Sequence, residues 1–154
     1  MNTRGFFLSK ISFLIILLGI FISLTSLAPV PTSLVKDVLA CTNQFRKSNG
    51  KPALVMMESL NAIAQQHSEK MAKGNIGFGH SGFTDRHKKV QQIFRSCTMS
   101  ENVAYGASTG KAVVNMWQRS SGHRDNLLGN YKYIGIGTAT NSRGTVFYTQ
   151  IFVR

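Results

Sequence analysis

The sequence predicts a single α+β domain, and three observations support this fold class. The chain has 154 residues, a length typical of one domain. Segments with helical periodicity come first. Two segments with strand character come last, YIGIGTAT and TVFYTQIFV, and the turn sequence NSRG separates them. Helices followed by a hairpin indicate an α+β arrangement rather than a parallel, doubly wound sheet.

Two helices are predicted near the start of the domain. Apolar residues recur at helical spacing from about Ser33 to about Lys47, where an Asn-Gly pair follows and stops the pattern. A second helical row begins near Leu60 and closes at Gly74. His67 lies on the core-facing side of that second helix. We expect it to be a boundary residue that hydrogen-bonds to a neighbour rather than a metal ligand.

The middle of the chain is predicted to alternate between loops and shorter helices. The segment GNIGFGHSGF at residues 74–83 has four glycines and reads as a loop. Thr84 and Asp85 resemble the cap of a short third helix. A fourth helix is predicted from residue 108 or 109, and it ends at the first three residues of the segment SSGHRDNLL.

The first 28 residues have the features of a secretion signal. Basic Arg4 and Lys10 precede an uncharged apolar run over residues 11–28, the pattern of a signal peptide. Small residues at the end of this run suit a cleavage site for signal peptidase. Pro29 directly after it disfavours cleavage, and the run is long enough to span a bilayer. We expect a secreted protein or, alternatively, one anchored in the membrane by residues 11–28. The predicted division is signal peptide or anchor 1–28, linker 29–33 and folded domain 34–154.

Cys41 and Cys97 are the two cysteines of the chain. In an exported protein an even number of cysteines indicates a disulfide first. The alternative is a pair of small buried thiols. We therefore predict a Cys41–Cys97 disulfide.

The exported part of the chain is strongly basic. The whole sequence has 18 basic and 6 acidic residues, and leaving out Arg4 and Lys10 gives 16 against 6, a net charge of +10. Such a charge attracts anionic membranes or cell-wall polymers. Apart from the run RHKK at residues 86–89, the basic residues are scattered. No aromatic residues are interleaved with them, so no nucleic-acid partner is expected. Direct membrane contact is expected only through the N-terminal segment, if it stays uncleaved.

His80, Glu101 and His123 are the candidate functional residues. Each is predicted to lie in a loop or at a helix end, where a side chain is held by the scaffold and still reaches solvent. Two imidazoles and a carboxylate suit a divalent metal such as zinc with one open position. The same groups suit general acid–base catalysis. Their spacing is not a metal signature. The alternative is therefore that the three residues form no common site and that each is hydrogen-bonded to its own neighbours.

The chain resembles the bacterial-type members of the CAP superfamily, also called SCP domains. The animal and plant relatives are cysteine-rich secretory proteins, antigen 5 and pathogenesis-related 1 proteins. The resemblance covers about residues 34–154, in order. It rests on Trp117, Ser120, Gly122, His123, Arg124, Asn126, Leu127, Gly135-Ile136-Gly137 and Tyr148-Thr149-Gln150, and upstream on Thr42-Asn43, Arg46, Gly50, Ala64, His67, Met71, His80-Ser81, Glu101-Asn102 and Ala104.

The resemblance implies a three-layer α-β-α sandwich with a small antiparallel sheet and a shallow cleft lined by histidine and glutamate. His80 matches the first histidine of that cleft and Glu101 its first glutamate. The position of the second glutamate falls on Ser120, and this chain offers His123 one helical turn further along. Trp117 is expected in the core.

Three functions follow as hypotheses. The first is an extracellular protein that binds a ligand or partner in its cleft, such as a lipid, a sterol or a divalent metal, without turnover. The second is a metal-assisted hydrolase or peptidase, in which His80 and His123 hold zinc and Glu101 activates water. The third is a basic exported protein that acts on anionic membranes or cell walls.

Overall fold

A computed structural model describes residues 33–154, so the predicted signal or anchor and nearly all of the linker lie outside the described residues. Within the described range, no helix is long and apolar enough to cross a bilayer. The elements in chain order are α1 Ser33–Ser48, β1 Val55–Met56, α2 Glu58–Ala72, α3 Phe83–Phe94, β2 Met99–Tyr105, α4 Gly110–Gln118, α5 Ser121–Leu128, β3 Tyr133–Thr140 and β4 Val146–Val153.

The strands form one four-stranded sheet in the order β1-β3-β4-β2. The predicted hairpin is present, because β3 and β4 pair antiparallel from Tyr133 opposite Val153 to Thr140 opposite Val146. β2 pairs antiparallel with the other side of β4. The two-residue β1 pairs parallel with β3, so the sheet is mixed rather than purely antiparallel.

The sheet lies between two helical layers, which confirms the α-β-α sandwich. Side chains alternate along β4, so that Tyr148 and Phe152 belong to the apolar cluster shared with α1 and α4. Ile151 and Val153 point to the other face and join a second cluster with α2 and α3. Trp117 is fully buried in the first cluster, as predicted.

Glycines allow α2 to lie directly on the sheet. Gly135 and Gly137 are on β3, on the face opposite Ile134 and Ile136. A Cβ atom at Gly135 would clash with the backbone of Leu60, and one at Gly137 would clash with the backbone of α2 one turn further on. The Gly-Ile-Gly sequence therefore sets how closely the helix packs.

The predicted disulfide is wrong, since Cys41 and Cys97 are both free thiols. Cys41 packs against the cluster formed with α1 and α4. Cys97 packs against the cluster formed with α2 and α3. The two thiols therefore lie on opposite sides of the sheet, and a disulfide requires Cα atoms within about 7 Å.

Two local predictions are corrected by the structure. The third helix begins at Phe83, and Gly82 in left-handed conformation occupies the N-cap position expected for Thr84 or Asp85. The segment SSGHRDNLL does not merely end α4. It forms the further helix α5, with Ser120 as its N-cap residue. His123 is therefore a helical residue, and its orientation depends on how α5 packs against the sheet.

Candidate functional site

Glu101 is a buried charge on β2. It lies opposite Ile151 of β4 and is 5% exposed. Arg86 of α3 donates from Nε to Oε2 and from Nη2 to Oε1, both at 2.6 Å. A buried carboxylate is tolerated when it is paired and hydrogen-bonded. This bidentate ion pair meets both conditions.

Arg86 also holds the glycine-rich loop. Its Nη1 donates to the carbonyl oxygen of Ser81 at 2.7 Å, and Nη2 donates to that of His80 at 3.3 Å. The loop turns at Gly79 and Gly82, whose φ values of +135° and +75° are rarely adopted by other residues. One guanidinium therefore connects β2, the loop and α3.

His80 extends from this loop to Glu101. Its Nδ1 lies 2.9 Å from Glu101 Oε1, and the imidazole is about half exposed. A carboxylate paired with Arg86 has only acceptor oxygens, so we assign the proton to Nδ1. The Nε2 lone pair of His80 is then left without a hydrogen-bond donor among the described residues and can accept one from a ligand or bind a metal.

His123 lies on α5, which packs against β2, the edge strand. Asn102 Nδ2 donates to the carbonyl oxygen of His123 at 3.2 Å. Asn126 Nδ2 donates to the carbonyl oxygen of Glu101 at 3.2 Å and to Asn102 Oδ1 at 2.9 Å. The bond from Asn126 to Glu101 satisfies a backbone carbonyl that an edge strand otherwise exposes. Burial, and then the charge of the nearby His80, lower the pKa of the His123 imidazole.

An apolar cleft of about 480 Å³ includes His123 in its lining. Phe78 and Tyr105 are each 51% exposed, and Met116 is 45% exposed. The rings of Phe78 and Tyr105 meet edge to face with their centroids 4.7 Å apart. The remaining lining residues are Val103, Ala104, Trp117 and Ser120.

The three residues predicted to hold zinc do not make a complete ligand set. Within residues 33–154, no group of three or more His, Cys, Asp or Glu side chains is placed to hold a metal ion. Both oxygens of Glu101 already accept from Arg86 and the carboxylate is buried, so a metal ion there would compete with this ion pair. The imidazoles of His80 and His123 remain as donors. The Glu101 contact to His80 Nδ1 is of the kind that orients a metal-bound histidine.

The structure thus brings His80 and Glu101 into contact and places His123 close enough to interact with His80 by charge. The sequence pattern does not single out Arg86, which stands in the basic run RHKK. Nor does it single out Phe78 and the other exposed apolar side chains of the cleft. An aromatic residue inside a glycine-rich loop is a signal that points to such a surface.

Comparison with known proteins identifies relatives of this chain. The model of the cysteine-rich secretory protein family, CAP, matches residues 39–152. The uncharacterized protein YkwD of Bacillus subtilis (strain 168) is 33% identical over 124 residues, which is 77% of this chain and 46% of that protein. The uncharacterized membrane protein YlbC of the same organism is 30% identical over 131 residues, 81% of this chain and 36% of that protein. The chain spans less than half the length of either relative.

A solved structure has the same architecture. It is the crystal structure of an extracellular protein containing a SCP domain from Bacillus anthracis str. Ames. It matches with a TM-score of 0.65 at 29% sequence identity, over 77% of this chain and 39% of that one. The family match covers most of the described domain and agrees with the sandwich fold. This chain belongs to the cysteine-rich secretory protein family, also called CAP, as a bacterial-type member.

Proposed function

We propose that this chain is an exported CAP-domain protein that binds a lipid-like ligand in the cleft beside His123, without chemical turnover. The observation behind this proposal is the exposure of three large apolar side chains around one cleft, those of Phe78, Tyr105 and Met116. Clustered exposed apolar groups on a soluble domain mark binding surfaces. The cleft volume of about 480 Å³ is in the range of small-molecule sites.

The cleft matches a ligand with an apolar body and one polar end. Covering the two exposed rings and the Met116 side chain would remove apolar surface from water, which favours binding. His123 is the one histidine of the lining, and His80 lies near it with a free Nε2 lone pair. A hydroxyl group, as on a sterol, can donate to such a lone pair.

Binding without turnover is supported by the state of Glu101. A general base needs an oxygen free to accept a proton from water or substrate. Both oxygens of Glu101 accept from Arg86, and Oε1 also meets His80. We infer that Glu101 positions His80 rather than activating water. The hydrolase hypothesis requires a metal and, in addition, access of water to the buried Glu101 carboxylate.

The test is binding of a fluorescent sterol, detected by energy transfer from Trp117. Trp117 is the only tryptophan of the chain and lines the cleft. We expect Tyr105→Ser and Met116→Ser each to weaken binding by about tenfold, because a large apolar contact is lost. The matched control is Val55→Ser, an apolar residue with 54% exposure on β1, at the opposite edge of the sheet from β2. Equal affinity in all variants contradicts the proposal.

Export is part of the proposal. It is supported by the charge and apolar pattern of residues 1–28 and by the B. anthracis relative, which is described as extracellular. Fractionation of cells that express the full-length chain tests it. Recovery in the cytosol contradicts it, while recovery in the medium or with the membrane separates cleavage from anchoring.

A second candidate is a divalent metal bound by the imidazoles of His80 and His123. The contact between Glu101 and His80 Nδ1 favours it, because such a contact orients a ligating histidine. Calorimetric titration of zinc into the wild type and into the His80→Ala/His123→Ala variant tests it. If the wild type binds zinc no more tightly than the double variant, this candidate is wrong.

A further inference from the structure

The apolar cleft beside His123 runs along the open edge of β2. Val103, Ala104 and Tyr105 all line it, although successive side chains of a strand point to opposite faces of the sheet. A cleft that meets three consecutive residues therefore borders the backbone of the strand. β2 has such a free side, because it stands at the end of the strand order. The cleft thus adjoins main-chain groups as well as apolar side chains.

The hydrogen bonds around β2 show which main-chain groups point toward the cleft. β2 and β4 pair in unbroken register, and the Gly106 N–H donates to the carbonyl oxygen of Val146 in line with that register. Main-chain groups of an antiparallel pair alternate between the partner strand and the outer side. Ala104 therefore bonds to β4, and its two neighbours point outward. The Trp117 indole agrees with this assignment, since its Nε1 donates to the carbonyl oxygen of Val103 at 3.1 Å.

Three of these outward groups have no hydrogen-bond partner in the part of the chain that the structure describes. They are the N–H of Val103 and both the N–H and the carbonyl oxygen of Tyr105. Nearer the start of β2 the edge is covered, because Asn126 of α5 donates to the carbonyl oxygen of Glu101. The open part is residues 103–105, which is short for pairing with a strand of a folded partner. It matches one or two residues of a small ligand.

The charge around the cleft favours an anionic ligand. No side chain of its lining is acidic, and the whole chain has 18 basic and 6 acidic residues. A basic surface raises the local concentration of anions. A ligand that ends in a carboxylate is therefore attracted to this cleft, and its oxygens can accept from the free N–H groups of β2.

We propose that the lipid-like ligand of the cleft is an N-acylated amino acid, either free or at the start of an acylated peptide. This assignment rests on the proposed function, because it names the polar part of the same ligand. The N–H and carbonyl groups of Tyr105 leave the strand on one side, and an amino-acid residue offers the matching N–H donor and carboxyl or carbonyl acceptor. The acyl chain would cover the exposed side chains of Phe78 and Met116.

The first experiment compares two ligands that differ in one N–H group. N-dodecanoyl-alanine has an amide where O-dodecanoyl-lactate has an ester, and both have the same acyl chain and carboxylate. Calorimetric titration of the full-length wild-type protein, below micelle-forming concentrations, measures both affinities. We expect the amide to bind about fivefold more tightly, because only its N–H can donate to the carbonyl oxygen of Tyr105. Equal affinities, or no binding of either ligand, overturn the proposal.

The second experiment removes a main-chain donor. Tyr105→Pro eliminates an N–H that makes no bond to β4, and proline is tolerated at such outward positions of edge strands. Tyr105→Ala is the matched control, because it loses the same aromatic ring and keeps the N–H. We expect Tyr105→Pro to bind N-dodecanoyl-alanine about fivefold more weakly than Tyr105→Ala does. Equal affinities of the two folded variants overturn the proposal, and the comparison of ligands on the wild type does not depend on how either variant folds.

The fluorescent sterol separates this proposal from the proposed function. If the sterol binds while amide and ester bind equally, the lipid-binding cleft stands and the N-acyl assignment is wrong. If neither the sterol nor an acyl ligand binds, both are wrong. N-dodecanoyl-alanyl-alanine distinguishes the source, because its second residue can reach the N–H of Val103. Tighter binding than that of N-dodecanoyl-alanine identifies an acylated peptide, and equal or weaker binding identifies the free N-acyl amino acid.

Discussion

Arg86 and Glu101 form a bidentate ion pair with both hydrogen bonds at 2.6 Å, across the interface between α3 and β2. The pair is almost closed to solvent. It links Glu101, which the sequence indicates as a candidate residue, to Arg86, which the sequence shows only as part of the basic run RHKK. Because the same guanidinium holds two carbonyl groups of the glycine-rich loop, it also determines where His80 lies.

The first prediction concerns removal of Arg86. Arg86→Leu leaves Glu101 buried without its cation, so the free energy of unfolding should fall by about 3–5 kcal/mol. The double variant Arg86→Leu/Glu101→Leu should recover much of that loss, since no uncompensated charge remains. Urea denaturation measures both. The control Lys88→Leu, at an exposed position of α3, should change stability by about 0.5 kcal/mol or less. Similar losses for Arg86→Leu and Lys88→Leu would contradict the prediction.

The fold could be predicted well from local sequence patterns and the resemblance. It could be predicted less well where tertiary contacts determine whether a short helix or strand forms. α1, α2, α4, β3 and β4 follow hydrophobic periodicity and cap or turn residues, and they are found close to the predicted bounds. β1 has two residues, too few for any alternation to be visible. α5 has a weak apolar pattern, with one buried residue, Leu127. Its contacts with β2 through Asn126 are long-range and have no local signature.

The second prediction concerns the close approach of α2 and β3. Gly135→Ala places a Cβ against the backbone of Leu60, which cannot move without shifting the helix. The free energy of unfolding should fall by about 1–3 kcal/mol or more. Gly122→Ala is the matched control, because a Cβ there meets nothing within 4 Å and the residue lies in α5. It should be neutral or stabilising by about 1 kcal/mol. Thermal unfolding of both variants checks the contrast, and equal melting temperatures would contradict it.

The site was only partly visible in the sequence. The chemistry of their side chains points to His80 and Glu101, and the structure brings them into contact. What Glu101 can do depends on Arg86, fifteen residues away on another element, and no spacing rule reveals such a pair. The predicted disulfide failed for a similar reason. Cysteine counting does not say which face of a sheet each thiol occupies, and Cys41 and Cys97 pack on opposite faces.

The third prediction concerns pH. Burial lowers the pKa of His67 and of His123, below the value of about 6.5 in an unfolded chain. The unfolded chain therefore binds more protons in acid. The stability supplied by these neutral rings is complete above about pH 6.5 and is lost as the pH falls through the folded pKa values. His67→Gln should reduce the slope of unfolding free energy against pH between about 7 and 5. Lys73→Gln, an exposed change just after α2 that leaves both histidines in place, should keep it. A slope unchanged by His67→Gln would contradict the assignment.

The last prediction concerns the thiols. Because both cysteines are free, alkylation without reductant should add two labels per chain. An unlabelled chain lighter by two hydrogen atoms would show instead that the disulfide forms. Burial, and then the charge of Asp37, raise the pKa of Cys41, whose Sγ lies 3.6 Å from Asp37 Oδ1. Since the thiolate is the reactive species, Cys41 should react slowly, and Asp37→Asn should accelerate its alkylation by about twofold or more. Asp125→Asn, an exposed change on α5, is the control. Equal rates in the two variants would mean that the Asp37 carboxylate does not suppress the thiolate.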